Sequence, residues 1–306
     1  MNYKISVLLF LIGFTSCQEG NETSIDKVVK SNYLIEVDDL LKIAEQPNVK
    51  ILDFRKSKIY LEEHITGALN VWRTDIENPD YPYGGMMASK VQIEALFSRL
   101  GIESNDTIII YDDNGLCDSA RLWWILQNYN FTNVKLLHGG ISAWKLNKGS
   151  VSKLIPIIEE SVFKLSENST LNYFISKENV LKSLNGKAII LDTRTENEYS
   201  GKQQKKGSFK GGRIPKSKLI DWSTTVDYKG DKMFKSLDEL THIYNEFGSK
   251  EDIIIVYCHS GVRSAHTTFV LTQLLGYENV RNYDGSWTEW SYFDDLPFEQ
   301  DSLTTL

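Results

Sequence analysis

Positive charge is in deficit in this 306-residue chain, where 34 Lys and Arg stand against 41 Asp and Glu, a formal net charge of −7. A duplex binder normally presents a basic face, so nucleic acid is excluded as a partner, although a local basic pocket is not. Long hydrophobic runs are lacking too. The most apolar stretch, Ile5–Ile12, is too short to hold a bilayer as a spanning anchor. Disorder-type bias is absent: with 41% hydrophobic and 25% charged residues, the bulk of the chain reads as globular. Cysteine is scarce, with only Cys17, Cys117 and Cys258. What is present is length, enough for two ordinary domains rather than one small core.

The first residues, "MNYKISVLLFLIGFTSC", combine an early Lys4, a short apolar core and small residues ahead of a cysteine. This pattern favours a cleaved export signal. The residues before Cys17 resemble the lipobox of bacterial lipoproteins, with Phe14 at the usual leucine position. That resemblance implies a signal peptide over 1–17 ending at an acylated Cys17, a polar tether over 18–31, and an exported protein lipid-anchored in the cell envelope or periplasm. Cys117 and Cys258 then remain. A disulfide between them is open to an exported chain but would silence Cys258, so the residues around Cys258 must decide.

The chain repeats itself. "NYLIEVDDLLKIAEQPNVKILDFR" (Asn32–Arg55) matches "NYFISKENVLKSLNGKAIILDTR" (Asn172–Arg194). "DTIIIYDDNG" (Asp106–Gly115) matches "DIIIVYCHSG" (Asp252–Gly261), and "NVKLLHGGISAW" (Asn133–Trp144) matches "NVRNYDGSWTEW" (Asn279–Trp290). Three pairs in one order, offset by 140 to 146 residues, mean two copies of one domain, over 32–149 and 172–300. The stretch 150–171 has no counterpart and reads as a linker long enough to run along both. Within each copy, short apolar strand-like runs alternate with helical patterns, which implies βαβ crossovers and a mainly parallel sheet flanked by helices. Ligands in such sheets sit at the carboxyl ends of the strands.

Cys258 falls at that place, after the apolar run Ile253–Tyr257 and before a helix starting near Ser264. Residues 259–263 must curl with several N–H groups turned inward, and Gly261 supplies the permissive geometry. The helix start and Arg263 add positive potential, so Cys258 should be a thiolate near neutral pH. The loop "YCHSGVRS", the segment "LDTRTENEY" (Leu191–Tyr199), the segment "GGRIPKSKLIDW" (Gly211–Trp222) and the doubled architecture resemble the tandem-domain rhodanese family of thiosulfate sulfurtransferases. The resemblance covers about Asn32 to Phe298. It implies that Cys258 takes sulfane sulfur from thiosulfate and passes it to cyanide or a thiol. The persulfide would be held by the loop of His259, Ser260, Gly261, Val262 and Arg263, with Arg263 on the sulfonate end. The partners are then a small sulfur donor and a thiophilic acceptor; no cofactor or metal is called for, and a monomer is expected. Arg213 stands at the family's usual histidine, and Glu198 where a second cation is usual. Arg213 is therefore a candidate for the missing charge. Arg194 reads first as structural, pairing with acids near the strand end, with substrate binding as its alternative. In the first copy the counterpart segment keeps His64.

Aligned on Tyr111 and Tyr257, the first copy has Asp112 in place of Cys258, and a carboxylate cannot accept sulfane sulfur. The first domain is expected to be inactive and to wall one side of the cleft through Trp72, Arg73 and the loop Asn78–Gly85. Cys117 lies near Asp112, Asp113 and Asp118, which should raise its pKa, with a resolving thiol or secondary sulfur acceptor as its functional alternative. Three other readings fit the sequence less well. A 3-mercaptopyruvate sulfurtransferase would prefer a hydroxyl residue at Arg263. A rhodanese-type phosphatase would need five residues between cysteine and arginine, where this chain has four. A non-catalytic sulfur-binding module is disfavoured by the intact loop.

Overall fold

The structure, a computed structural model, describes residues 29–301. The proposed signal, Cys17 and most of the tether lie outside the described residues. Two five-stranded sheets form, each with all its strands parallel. In the first, the order is Leu34–Ile35, Val134–Leu137, Thr107–Tyr111, Val49–Asp53, Leu69–Asn70. The second follows the same order with Phe174–Ile175, Val280–Tyr283, Ile254–Tyr257, Ile189–Asp192, Lys218–Leu219. The repeat seen in the sequence is thus a repeat of topology. The central strands read Thr-Ile-Ile-Ile-Tyr and Ile-Ile-Val-Tyr because each is covered on both faces.

The "D-x-R" segments fold alike in both copies. Arg55 Nε donates to Asp53 at 2.9 Å, and Arg194 Nε donates to Asp192 at 2.9 Å. Each guanidinium lies 5.6 Å from the ring of the tyrosine that ends the central strand, Tyr111 or Tyr257. Those tyrosine hydroxyls in turn accept from the backbone N–H of Ile65 and Ile214. A buried pair present in both copies braces the strand ends whether or not a nucleophile follows.

The linker packs along the first domain. Val151–Ser152 pairs antiparallel with His64–Ile65, and Phe163 is buried between Phe97 and Phe131. His64 is spent in this contact, its ring facing the carbonyls of Tyr60 and Leu154. Between the domains, the counterpart helices Ser119–Asn128 and Val262–Phe269 pack on each other, with Trp123 edge-on to Phe269 at 4.8 Å. Every residue of Ser119–Asn128 is buried. Full burial of side chains such as Leu122 and Phe269 is worth about 1.5–3 kcal/mol each, so the interface is a shared core rather than a contact of convenience.

Candidate active site

The strand Ile254–Tyr257 delivers Cys258 to the mouth of the second sheet, and the helix Val262–Phe269 begins four residues later. Gly261 caps that helix with φ +76°, and a Cβ there would lie 2.6 Å from the Asp284 carbonyl and 2.7 Å from Arg121. Only glycine fits. The loop is also pinned from within. Ser286 Oγ accepts from the N–H of Cys258 at 3.1 Å and of Gly261 at 3.0 Å, while donating to the Tyr283 carbonyl at 2.8 Å. Ser286 sits at φ +50°, a conformation its counterpart Gly140 adopts without strain at φ +57°. The second copy therefore accepts a non-glycine residue in the left-handed region for the sake of this hydroxyl.

Burial is the largest influence on the Cys258 thiol and pushes its pKa up. The net shift is nevertheless downward, because Arg263, the Ser264 hydroxyl and N–H, and the Ser260 N–H together outweigh it. The buried Ser264 hydroxyl has no oxygen or nitrogen partner of its own. The anion cradle thus consists of the N–H groups of Ser260 and Ser264, with the N–H of Gly261 spent on Ser286. Cys117 goes the other way: burial first, then Asp118, holds its thiol well above the ordinary range. Alkylation by iodoacetamide near neutral pH should therefore label Cys258 first and Cys117 only at higher pH, as read by peptide mapping. Equal rates at the two positions would contradict this ordering.

A cavity of about 190 Å³ opens over the sulfur, lined by Cys258, His259, Ser260, Val262 and Arg263 from the second domain's loop. Lys205 and Trp222 line it from the same domain, and Arg73, Asn114 and Cys117 from the first. A wider groove of about 680 Å³ beside the linker, among Gln46, Pro47 and Ile157, has no cysteine in its lining. Arg73 is in the wall as expected from the sequence, while Trp72 lies beneath it with its ring 5.5 Å from the guanidinium. The loop Asn78–Gly85 backs the site, since a Cβ on Gly85 would stand 2.5 Å from that of Ser260.

Charge is distributed differently from the sequence-based expectation. Arg263 is held bidentately by Glu198, both contacts at 2.7 Å, and this pair keeps the Glu198 carboxyl down at about 2 despite burial. Arg73 is paired with Asp118. Lys205 has no carboxylate within ion-pair distance among the described residues, and burial and Arg263 lower its pKa. It is the one uncompensated cation of the cavity lining, and sequence reasoning passed over it because "GKQQKKG" carries no pattern. Arg213 is a correction: it pairs with Glu299 and Asp301, stacks 4.5 Å from Tyr199 and does not line the cavity. Arg194 takes the structural place read for it: it is buried, bound to Asp192 and the Gly212 carbonyl, and likewise not in the lining, which leaves its substrate-binding alternative without support. His259 donates from Nε2 to the Lys206 carbonyl, and burial drops its pKa to about 4, so it is neutral near pH 7.

The first copy shows why a carboxylate stands where the second has sulfur. Asp112 accepts from four backbone N–H groups, those of Asn114, Leu116, Asp118 and Ser119, at 2.8–3.0 Å. The cradle has formed and is filled by the chain's own anion. Burial and then Asp118 raise the Asp112 pKa to about 6 against those bonds.

A profile described as Rhodanese-like domain matches twice, over residues 36–147 and 176–292. The chain belongs to the rhodanese-like family. A thiosulfate sulfurtransferase of Corynebacterium glutamicum is 33% identical over 266 residues, covering 83% of this chain and 85% of that protein. The sulfur carrier protein TtuD of Thermus thermophilus is 30% identical, covering 86% of this chain and 95% of its own length. Among solved structures, the 3-mercaptopyruvate sulfotransferase SseA from Escherichia coli superposes with a TM-score of 0.71 at 24% identity, covering 83% of this chain and 98% of that one. At that identity the likeness concerns the fold. The two rhodanese units expected from the repeat are therefore both present.

Proposed function

We propose that this rhodanese is a sulfurtransferase that moves sulfane sulfur from thiosulfate to a thiophilic acceptor, cyanide or a thiol, through a persulfide on Cys258. The observation that carries the reading is a cysteine with a lowered pKa inside a small cationic cavity, cradled by loop N–H groups. The Cys258 thiolate attacks the outer sulfur of thiosulfate, the S–S bond of the donor breaks, and sulfite leaves with the electron pair. The persulfide anion rests against the N–H groups of Ser260 and Ser264. An acceptor nucleophile then takes the outer sulfur and returns the thiolate, so ping-pong kinetics follow. The likeness to a thiosulfate sulfurtransferase supports thiosulfate as donor.

In this reading Lys205 holds the sulfonate end, since Arg263 and Arg73 are each offset by a carboxylate. Lys205→Gln should raise KM for thiosulfate about tenfold or more while kcat changes less, as loss of one charge-assisted contact implies. An unchanged KM would remove Lys205 from donor binding. The reading as a whole is tested by intact mass after thiosulfate treatment, where Cys258 should gain one sulfur atom, and by comparing kcat/KM for thiosulfate and 3-mercaptopyruvate. No gain of mass, in wild type or in Cys117→Ser, together with no sulfite release would end it; a higher kcat/KM for the keto acid would reassign the donor. We also propose that the chain is exported and anchored through an acylated Cys17, on the strength of the N-terminal residues alone. A mature protein retaining residues 1–16 would refute this.

A further inference from the structure

Cys117 and Cys258 come from different domains yet line one cavity of about 190 Å³. The helices that follow them, Ser119–Asn128 and Val262–Phe269, pack directly on each other, so the core holds both sulfur-bearing turns at the one cavity. Cys117 itself is buried in the turn between Asn114 and Asp118. Arg73 and Arg263 act on both sulfurs. Nothing in the sulfur transfer proposed above uses Cys117.

We propose that Cys117 is a resolving thiol for Cys258: it closes a cross-domain disulfide with a loaded Cys258 and expels the carried sulfur as hydrosulfide. The proposal rests on the persulfide reading. In this step the Cys117 sulfur attacks the inner sulfur of the persulfide. The bond between the two cysteine sulfurs forms, and the bond to the outer sulfur breaks. The thiol proton leaves with the hydrosulfide. In this step the Cys117 sulfur is oxidised by one electron and the outer sulfur is reduced by one, while the Cys258 sulfur stays at the disulfide level it reached on loading, so no outside oxidant is needed. A dithiol reductant returns both thiols and is itself oxidised to a disulfide.

Electrostatics select this outcome over handing the outer sulfur to Cys117. A persulfide on Cys117 would be an anion beside Asp118 and close to Asp112, without the N–H cradle that Cys258 enjoys. A disulfide is neutral and avoids that repulsion, and the hydrosulfide diffuses away. The pair also divides labour as dithiol sites do. One thiol is held ionised to react first, while the other is held protonated, with Asp112 and Asp118 beside it to take or return a proton.

The test uses the full chain, loaded with thiosulfate, freed of excess donor and kept without any external thiol. The wild type should release one hydrosulfide per loaded chain, lose the added sulfur mass, and yield a non-reduced peptide joining residues 117 and 258. Cys117→Ser should keep its persulfide, release at least tenfold less hydrosulfide and give no such peptide. A thiol oxidant such as diamide, applied to unloaded wild type, should form the same linked peptide, which checks the geometry without any variant. A wild-type persulfide as long-lived as that of Cys117→Ser would overturn the inference, as would sulfur recovered on Cys117 or no linked peptide after diamide. If Cys258 gains no sulfur even in Cys117→Ser, where no resolution can follow, it is the underlying sulfur-transfer reading that has failed.

Discussion

Cys258→Ser should lower sulfur transfer by at least about a thousandfold and abolish the gain of sulfur mass, with the fold retained. The substitution changes one buried atom and leaves the Ser286 clasp and the helix start intact, so its effect on the midpoint of unfolding should be small. What it removes is the only atom able to hold sulfane sulfur within that cradle. A serine hydroxyl stays protonated where Arg263, Ser260 and Ser264 were sufficient to ionise a thiol. The first domain provides the internal comparison, because its loop closes four N–H groups on the Asp112 carboxylate and leaves nothing for a substrate anion. The assay is sulfite release with cyanide as acceptor, alongside intact mass. Residual turnover within tenfold of wild type would move the nucleophile elsewhere, and the sulfur mass would then locate it.

Much of this site was legible because its signals are local. The repeat rests on three matched segments, and the Cys258 loop compresses strand end, glycine, helix start and arginine into eight residues. Parallel pairing followed from helices between apolar strands. What escaped depends on contacts remote in sequence. Arg213 looked available until Glu299 and Asp301, nearly ninety residues on, returned to hold it. Glu198 read as a lost cation, whereas it clamps Arg263 from 65 residues away. That clamp fixes the guanidinium beside the sulfur and neutralises part of its attraction for a donor. Lys205 then carries more of the binding than any motif suggested. Cys117 was visible as an odd thiol among acids, but only the packing of the two counterpart helices brings it to the cavity it shares with Cys258. The structural role of Arg194 was legible from the acids near the strand end, and its counterpart Arg55 makes the same pairing in a copy without a nucleophile.

Arg121→Met should destabilise the protein by about 3–5 kcal/mol and loosen the active loop, although Arg121 belongs to the domain without a nucleophile. Its guanidinium is buried and pairs with the equally buried Asp284; it also donates to the carbonyls of Gly85 at 2.8 Å and Gly261 at 3.4 Å. Methionine keeps an aliphatic stem but removes the guanidinium that lies 4.8 Å over the Trp124 ring, and it leaves the Asp284 carboxylate with only the Met87 N–H at 3.0 Å among its recorded partners. An uncompensated buried charge is the dominant loss, so the pair rather than the packing is under test. The counterpart positions are not equivalent: His266 stands where Arg121 does, and donates across the interface to the Gly115 carbonyl as a neutral ring. The charged half of this reciprocal clasp is thus the half aimed at the reactive loop. A double-mutant cycle separates the contributions, because Arg121→Met with Asp284→Asn removes both charges and should recover a large part of the stability lost in the single variant. Denaturant midpoints report the clasp, and the rate of sulfur loading on Cys258 reports the loop. If Arg121→Met costs less than about 1 kcal/mol, as a pair relieved by entering water would, the first domain does not brace the reactive loop through this contact. If stability falls but loading is unchanged, the clasp joins the domains without shaping the site. Slower loading that is partly restored in the double variant is the result that ties the silent copy to the chemistry of the other.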